Sequence, residues 1–115
     1  MANETIYIVD EIVTRPGEGR TFLDAYMKRY APAAQARGLT LDRVLVSPPV
    51  WLDDQSNILI ITWVLQGAHA WWQMSFRSRT DPSVASWWAE VDENVVSRKR
   101  SYMSAAGDIE ALTDV

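Results

Sequence analysis

His69 is the only histidine in the chain, and so the only side chain whose ordinary pKa lies near neutrality. It stands in Gly67-Ala68-His69-Ala70-Trp71-Trp72, which reads as a helix start, where the helix dipole favours the neutral imidazole. A neutral imidazole suits a general base or a neutral hydrogen-bond donor; the bland alternative is a helix-start histidine bonded to a backbone carbonyl. Tyr7, Trp63 and Tyr102 form a second set. Strand alternation lets all three project to one side of a sheet, where a tyrosine hydroxyl polarises a carbonyl or stabilises an enolate. Core packing accounts for the same three aromatics. Asp10, Glu11 and Arg43 form a third set, in which a carboxylate would orient His69 and Arg43 would hold a substrate carboxylate or phenolate. A surface ion pair explains those residues more cheaply. Trp72 and Phe76 are spaced i, i+4, and His69 precedes Trp72 by three, so the three share a helix face that would line an aromatic substrate. Trp51, in Val50-Trp51-Leu52 beside Pro48-Pro49, would lid a cavity, pack on a neighbour, or merely extend a strand irregularly.

The composition narrows what these groups would act on. The chain of 115 residues is 48% hydrophobic and 23% charged, an ordinary globular balance for one domain spanning residues 1–115. A net charge of −4 argues against nucleic acid, and Arg98-Lys99-Arg100 is too short a basic run to change that. The absence of cysteine removes thiolate nucleophiles, disulfides and iron–sulfur clusters. A haem would have to use His69 as its imidazole ligand, with nothing else pointing to haem, and one histidine with scattered acids does not define a metal site. The expectation is therefore no cofactor and no metal. No apolar run approaches the ~20 residues that span a bilayer, and the N-terminus has no signal-peptide pattern. A soluble, cytoplasmic chain with no membrane partner is expected.

The elements that must position these residues follow from periodicity. Thr5 to Val13 reads as a strand that is apolar on both faces. That leaves Asp10 and Glu11 either facing an interior or at a frayed end in water. A helix follows from about Thr21, with Phe22, Tyr26, Tyr30 and Ala33 on one stripe, irregular at Pro32 and closed at Gly38. Leu39 to Ser47 is a second strand, with Leu41, Arg43 and Leu45 on one face and Asp42, Val44 and Val46 on the other. Ile58 to Leu65 is a third, in a hairpin with the second. A helical segment opens at Gly67, and a fresh helix starts at Asp81-Pro82 with Val84, Trp87/Trp88, Val91 and Val95 as its apolar stripe. Of the adjacent tryptophans, Trp72 and Trp88 are expected on the more buried side. Ser97 to Ala105 is a fourth strand, with Arg98, Arg100, Tyr102 and Ser104 on one face. An acidic tail from about residue 106 either packs on a partner or is disordered.

This order is β–α–β–β–α–β, the split βαβ pattern of ferredoxin-like α+β folds: an antiparallel sheet with helices on one face. The first and third strands are too apolar for their other face to meet water, so a second copy should cover it, making a homodimer. The stretch His69-Ala70-Trp71-Trp72, Arg77, Asp81-Pro82 and Trp87-Trp88 resembles the second helical region of NIPSNAP-like members of the dimeric α/β-barrel proteins. The resemblance spans Thr5 to Ala105 in topology and Gly67 to Trp88 in motif. Two extra tryptophans depart from the pattern, and no catalytic set of a better-known branch is matched. The resemblance implies two subunits forming a dimeric α/β barrel, with a small-molecule pocket between sheet and helices. It also implies a choice among cofactor-independent monooxygenases, cyclases, lyases, isomerases and haem enzymes. The expectation is proton transfer on an aromatic or polyketide-like carbonyl compound, with His69, Tyr7 and Tyr102 catalytic and Trp63, Trp72, Phe76, Arg43, Glu11, Asp10 and Trp51 lining the substrate. The alternatives are monooxygenation of the same class and a non-catalytic dimeric small-ligand-binding protein.

Overall fold

A computed structural model describes residues 4–113. Strand β1 (Thr5–Thr14) lies inside a four-stranded antiparallel sheet ordered β2-β3-β1-β4, with β2 Thr40–Ser47, β3 Ile58–Gln66 and β4 Val95–Met103. Alternation along β1 buries Ile6, Ile8, Asp10, Ile12 and Thr14. The facing residues of β3 on that side are Leu65, Trp63, Ile61 and Leu59, all buried. The helices cover this face and leave the other open, which is the ferredoxin-like α+β arrangement. The open face carries Tyr7, Val9, Val13, Ile60 and Val64, all half-buried, with Leu45, Ile58 and Met103 exposed.

The first helical arm runs as α1 (Gly19–Ala25), a π-helical turn (Tyr26–Tyr30) and α2 (Ala31–Ala36). Pro32 lacks an N–H, and in a regular α-helix its ring would press on the carbonyl four residues back, that of Lys28. The chain absorbs this one turn earlier: the Ala31 N–H reaches Tyr26 O in the wide π pattern. That turn holds Tyr26 and Tyr30 together in the core. The arm ends in a Schellman motif, with Gly38 N bonded to Gln35 O at 3.0 Å and Leu39 N to Ala34 O at 3.1 Å. Gly38 takes φ +97° there, a conformation costly for any residue with a Cβ.

Strand β3 enters α3 (Gly67–Thr80) without a loop. Gly67 turns the corner at φ +84°, and its N–H is held by Glu4 O at 2.8 Å. Helix α4 (Pro82–Asn94) then buries Val84, Trp87 and Val91, and Val95 starts β4 directly. The chain closes with a 3-10 turn (Ala106–Asp108) and α5 (Ile109–Thr113). The tail thus packs Leu112 against its own core instead of extending away.

Two expectations about faces are corrected. In β2 the pairing with β3 shifts register between Leu41 and Arg43, a bulge at Asp42 that reverses the alternation. Leu41 consequently joins Val44 and Val46 on the covered side, and Arg43 and Leu45 face outward. In both tryptophan pairs the first member goes inward: Trp87 is buried and Trp88 half-buried, while Trp71 is half-buried and Trp72 is 60% exposed. Neighbouring helix residues point about 100° apart, so the roll of the helix on the sheet chooses between them. The loop between β2 and β3 is pinned to the body of the chain, and Pro49, Val50 and Trp51 line a depression there with Val44, Leu45 and Val46. Fully buried Asn57 staples the loop: Nδ2 donates to Val50 O at 2.9 Å, and Oδ1 accepts from Leu52 N at 3.1 Å. Its backbone N–H bonds Thr14 Oγ1 at 3.1 Å. Trp51 folds in against the core.

Candidate functional site

Two places gather polar and aromatic chemistry, one closed and one open. The closed one sits between sheet and helices. Asp10 is 2% exposed, and strand pairing sets Arg100 directly opposite it. Arg100 grips the carboxylate with both forks, Nε to Oδ1 at 2.6 Å and Nη2 to Oδ2 at 2.8 Å. Tyr26 Oη donates to Oδ2 at 2.9 Å and accepts from Trp63 Nε1 at 2.7 Å. Tyr30 Oη accepts from Arg100 Nη2 at 2.9 Å and from Arg37 Nη2 at 2.8 Å. Trp88 lies over the group, its ring 5.0 Å from the Arg100 guanidinium and 4.4 Å from that of Arg98.

Burial drives the Tyr26 hydroxyl pKa well up, and the Asp10 carboxylate pushes the same way. Burial works against the Arg100 charge, but its bonds to Asp10 outweigh that and its pKa is raised. Both groups are locked in the states they hold at neutral pH. Asp10, Tyr26 and Trp63 are buried, and their bonds tie β1, β4 and the π turn together. Arg37 completes the cluster at a cost: Nε and Nη1 are buried without a partner.

The open place is a groove of about 440 Å³ where α3, the end of β4 and α5 meet, lined by Ile6, Trp71, Trp72, Tyr102, Met103 and Leu112 among others. Trp71 stands edge-on to Tyr102 with ring centroids 4.7 Å apart, a favoured aromatic geometry. Ser104 Oγ is turned away, donating to Thr5 O at 2.8 Å. Tyr102 and Ser104 are the hydroxyl-bearing residues of the lining, in an otherwise apolar wall.

The structure divides the residues expected to form one site. Trp72 and Tyr102 meet in the groove. His69 is exposed on the outer side of α3 and lines a shallow depression with Trp72, Gln73, Phe76 and Arg77, so Trp72 is the wall the two places share. Tyr7 does not join Trp63 and Tyr102: it pairs with Val64 and Met103, one residue out of phase with Ile8, and projects from the open sheet face. Glu11 is exposed on that face opposite Lys99, and Arg43 is exposed beside Asp42, Nε to Oδ2 3.1 Å. Asp10 and Trp63 belong to the closed cluster, and Trp51 to the β2–β3 loop. Sequence reasoning missed Trp71 and Leu112 in the groove, and Tyr26, Tyr30, Arg37 and Arg100 in the cluster. The lone acid on the isoleucine face of β1, with arginines on one face of β4, was the signal for the last of these. Among the described residues no group of three His, Asp or Glu side chains is placed to hold a metal ion, and no helix is long and apolar enough to cross a membrane.

No protein-family model matches the sequence, and comparison with curated proteins gives no significant match. Solved structures do match. A NIPSNAP family protein of unknown function from Agrobacterium tumefaciens aligns with TM-score 0.67 at 12% identity, over 90% of each chain. An uncharacterized NIPSNAP domain protein from Burkholderia xenovorans aligns with TM-score 0.65 at 12% identity, over 89% of this chain and 94% of that one. A second Agrobacterium tumefaciens NIPSNAP family protein gives 0.60 at 15% identity, over 86% and 90%. At such identities the likeness is one of fold, and the NIPSNAP-like resemblance of the second helical region is matched by a chain that folds as NIPSNAP proteins do.

Proposed function

We propose that this protein binds a small, flat, largely apolar molecule in the groove between α3, β4 and α5, and that it does so as a homodimer joined through the open sheet face. The groove carries the reading. Its volume of about 440 Å³ lies in the usual range for small-ligand sites, and its wall offers two tryptophans, a tyrosine and aliphatic surface with few polar groups. The dimer is supported by the uncovered face of β1 and β3, where Tyr7, Val9, Val13, Ile58, Ile60 and Val64 outnumber the polar Thr5, Glu11, Thr62 and Gln66. The structural neighbours are themselves of unknown function or uncharacterized and add no substrate.

A catalytic reading rests on Tyr102. Its hydroxyl at the groove wall suits hydrogen bonding to the carbonyl oxygen of an aromatic or polyketide-like compound during proton transfer. His69, on the other side of Trp72, would serve only a substrate that reaches past that ring. Monooxygenation of the same substrate class would use the same groove.

Titration of the untagged protein with 1-naphthol by calorimetry tests the reading. Micromolar binding is expected, weakened at least about tenfold by Leu112→Asp, which puts a charge into the aromatic wall. Tyr102→Phe should leave naphthol affinity within about threefold while abolishing any turnover. Equal affinity in wild type and Leu112→Asp would place the ligand elsewhere.

A further inference from the structure

Trp72 has different chemistry on its two sides. One side is the α3–β4–α5 groove. The other is an open depression of about 360 Å³ that Trp72 shares with His69, Gln73, Phe76 and Arg77. His69, Gln73 and Arg77 recur every four residues, so they form one ridge of α3 beside the ridge of Trp72 and Phe76. Arg77 lies five residues beyond Trp72, about 7.5 Å along the helix axis. Helix side chains lean toward the N-terminus, which carries the Arg77 guanidinium back toward the Trp72 ring. Nη1 of Arg77 reaches Ala36 O at a long 3.4 Å, and the residue is otherwise exposed.

We propose that the ligand of the groove is an amphiphilic carboxylate. Its flat apolar body lies against Trp71, Tyr102 and Leu112, a short chain crosses Trp72, and its carboxylate is taken by Arg77 with His69 as a second donor. This rests on the groove reading above and names the class of molecule. Charge selects an anion: the chain carries −4, yet from Gly67 to Thr80 its charged side chains are Arg77 and Arg79, with no carboxylate among them. Charge also orients it. On the α5 side the lining residue Ile109 stands between Asp108 and Glu110, so an anionic head is repelled there and drawn to Arg77. The planar guanidinium fork matches the two coplanar oxygens of a carboxylate. Trp72 is 60% exposed, so its outer edge stands in solvent and a flexible chain passes over it.

The test titrates 4-(1-naphthyl)butanoic acid and its primary amide, of the same shape without the charge, into the untagged full-length protein by calorimetry. The acid should bind about three- to fivefold tighter, the worth of an ion pair open to solvent. Added salt should erode that advantage. Arg77→Gln should bring the two affinities together, whereas Arg79→Gln should leave the acid ahead. An acid no tighter than the amide, or a preference that survives in Arg77→Gln, overturns the proposal, while 1-naphthol binding weakened by Leu112→Asp still upholds the groove. If Leu112→Asp leaves all three ligands equally tight, the groove reading falls and this one with it. Co-sedimentation of the wild type, but not of Arg77→Gln, with phosphatidylcholine–phosphatidylglycerol vesicles also overturns the proposal, because it assigns this aromatic and cationic surface to a lipid bilayer.

Discussion

Asp10 interrupts the isoleucines of β1, and its burial is tolerable because Arg100 and Tyr26 bond both of its carboxylate oxygens. Breaking such a pair from one side leaves a bare buried charge, whereas removing both members together can be nearly neutral. Arg100→Met is therefore expected to cost about 3–5 kcal/mol in urea denaturation, and Asp10→Leu/Arg100→Met clearly less. A double variant no more stable than Arg100→Met would show that the bare carboxylate is not what destabilises it. Tyr26 adds a pH dependence. Its folded pKa is raised above the unfolded value of 10.0, so the associated stability is present below pH 10 and drains as pH rises past it. The slope is up to about 1.4 kcal/mol per pH unit. Urea denaturation from pH 9 to 11.5 should show that fall in the wild type, and a fall shallower by about one proton in Tyr26→Phe.

Among the elements, the segment from β2 to β3 depends most on one side chain. Pro48 and Pro49 remove two backbone donors, and the carbonyls and amides around them are met by Asn57, at 2.9 Å from Val50 O and 3.1 Å from Leu52 N. Asn57→Ala is expected to destabilise by about 2–3 kcal/mol. The Leu52 amide should then exchange hydrogen orders of magnitude faster relative to the β3 amides. Unchanged exchange at Leu52 would mean the loop is held by Trp51 packing alone. Helix α3 is the opposite kind of element. It buries Gly67, Ala68 and Met74 while Trp72 and Phe76 stand 60% and 62% exposed, which leaves a broad aromatic surface free to meet a ligand.

For the whole molecule, the question is what covers the open sheet face. A chain whose helices lie on one side of an apolar sheet is stabilised by burying the other side, and a two-fold copy does this with one self-complementary patch. Sedimentation should therefore give twice 13.0 kDa for the wild type and the monomer mass for Val9→Lys, which places a charge at the middle of the face. The melting temperature of the wild type should rise with protein concentration. A wild type that sediments as a monomer at every concentration would refute the dimer.

Local periodicity determined much of this protein. The alternation of β1 and β3, the Val84-Trp87-Val91-Val95 stripe, the C-cap at Gly38 and the irregularity near Pro32 are each written within a few residues, because backbone sterics and the helix and strand periods act locally. Element order then sufficed for the sheet topology and the helix-covered face. The candidate site was not legible in the same way. Alternation placed Tyr7 with Trp63 and Tyr102, but alternation is blind to which residue of a strand starts the inward phase, and in β2 a bulge created by pairing reversed it. Which tryptophan of an adjacent pair enters the core is decided by a rotation of the helix that no local signal encodes. The Asp10–Arg100 pair closes across 90 residues, and the groove joins Ile6, Trp71, Tyr102 and Leu112 from four separate elements. Such juxtapositions exist only once the sheet has been assembled, so the fold could be read along the chain while its sites had to wait for tertiary packing.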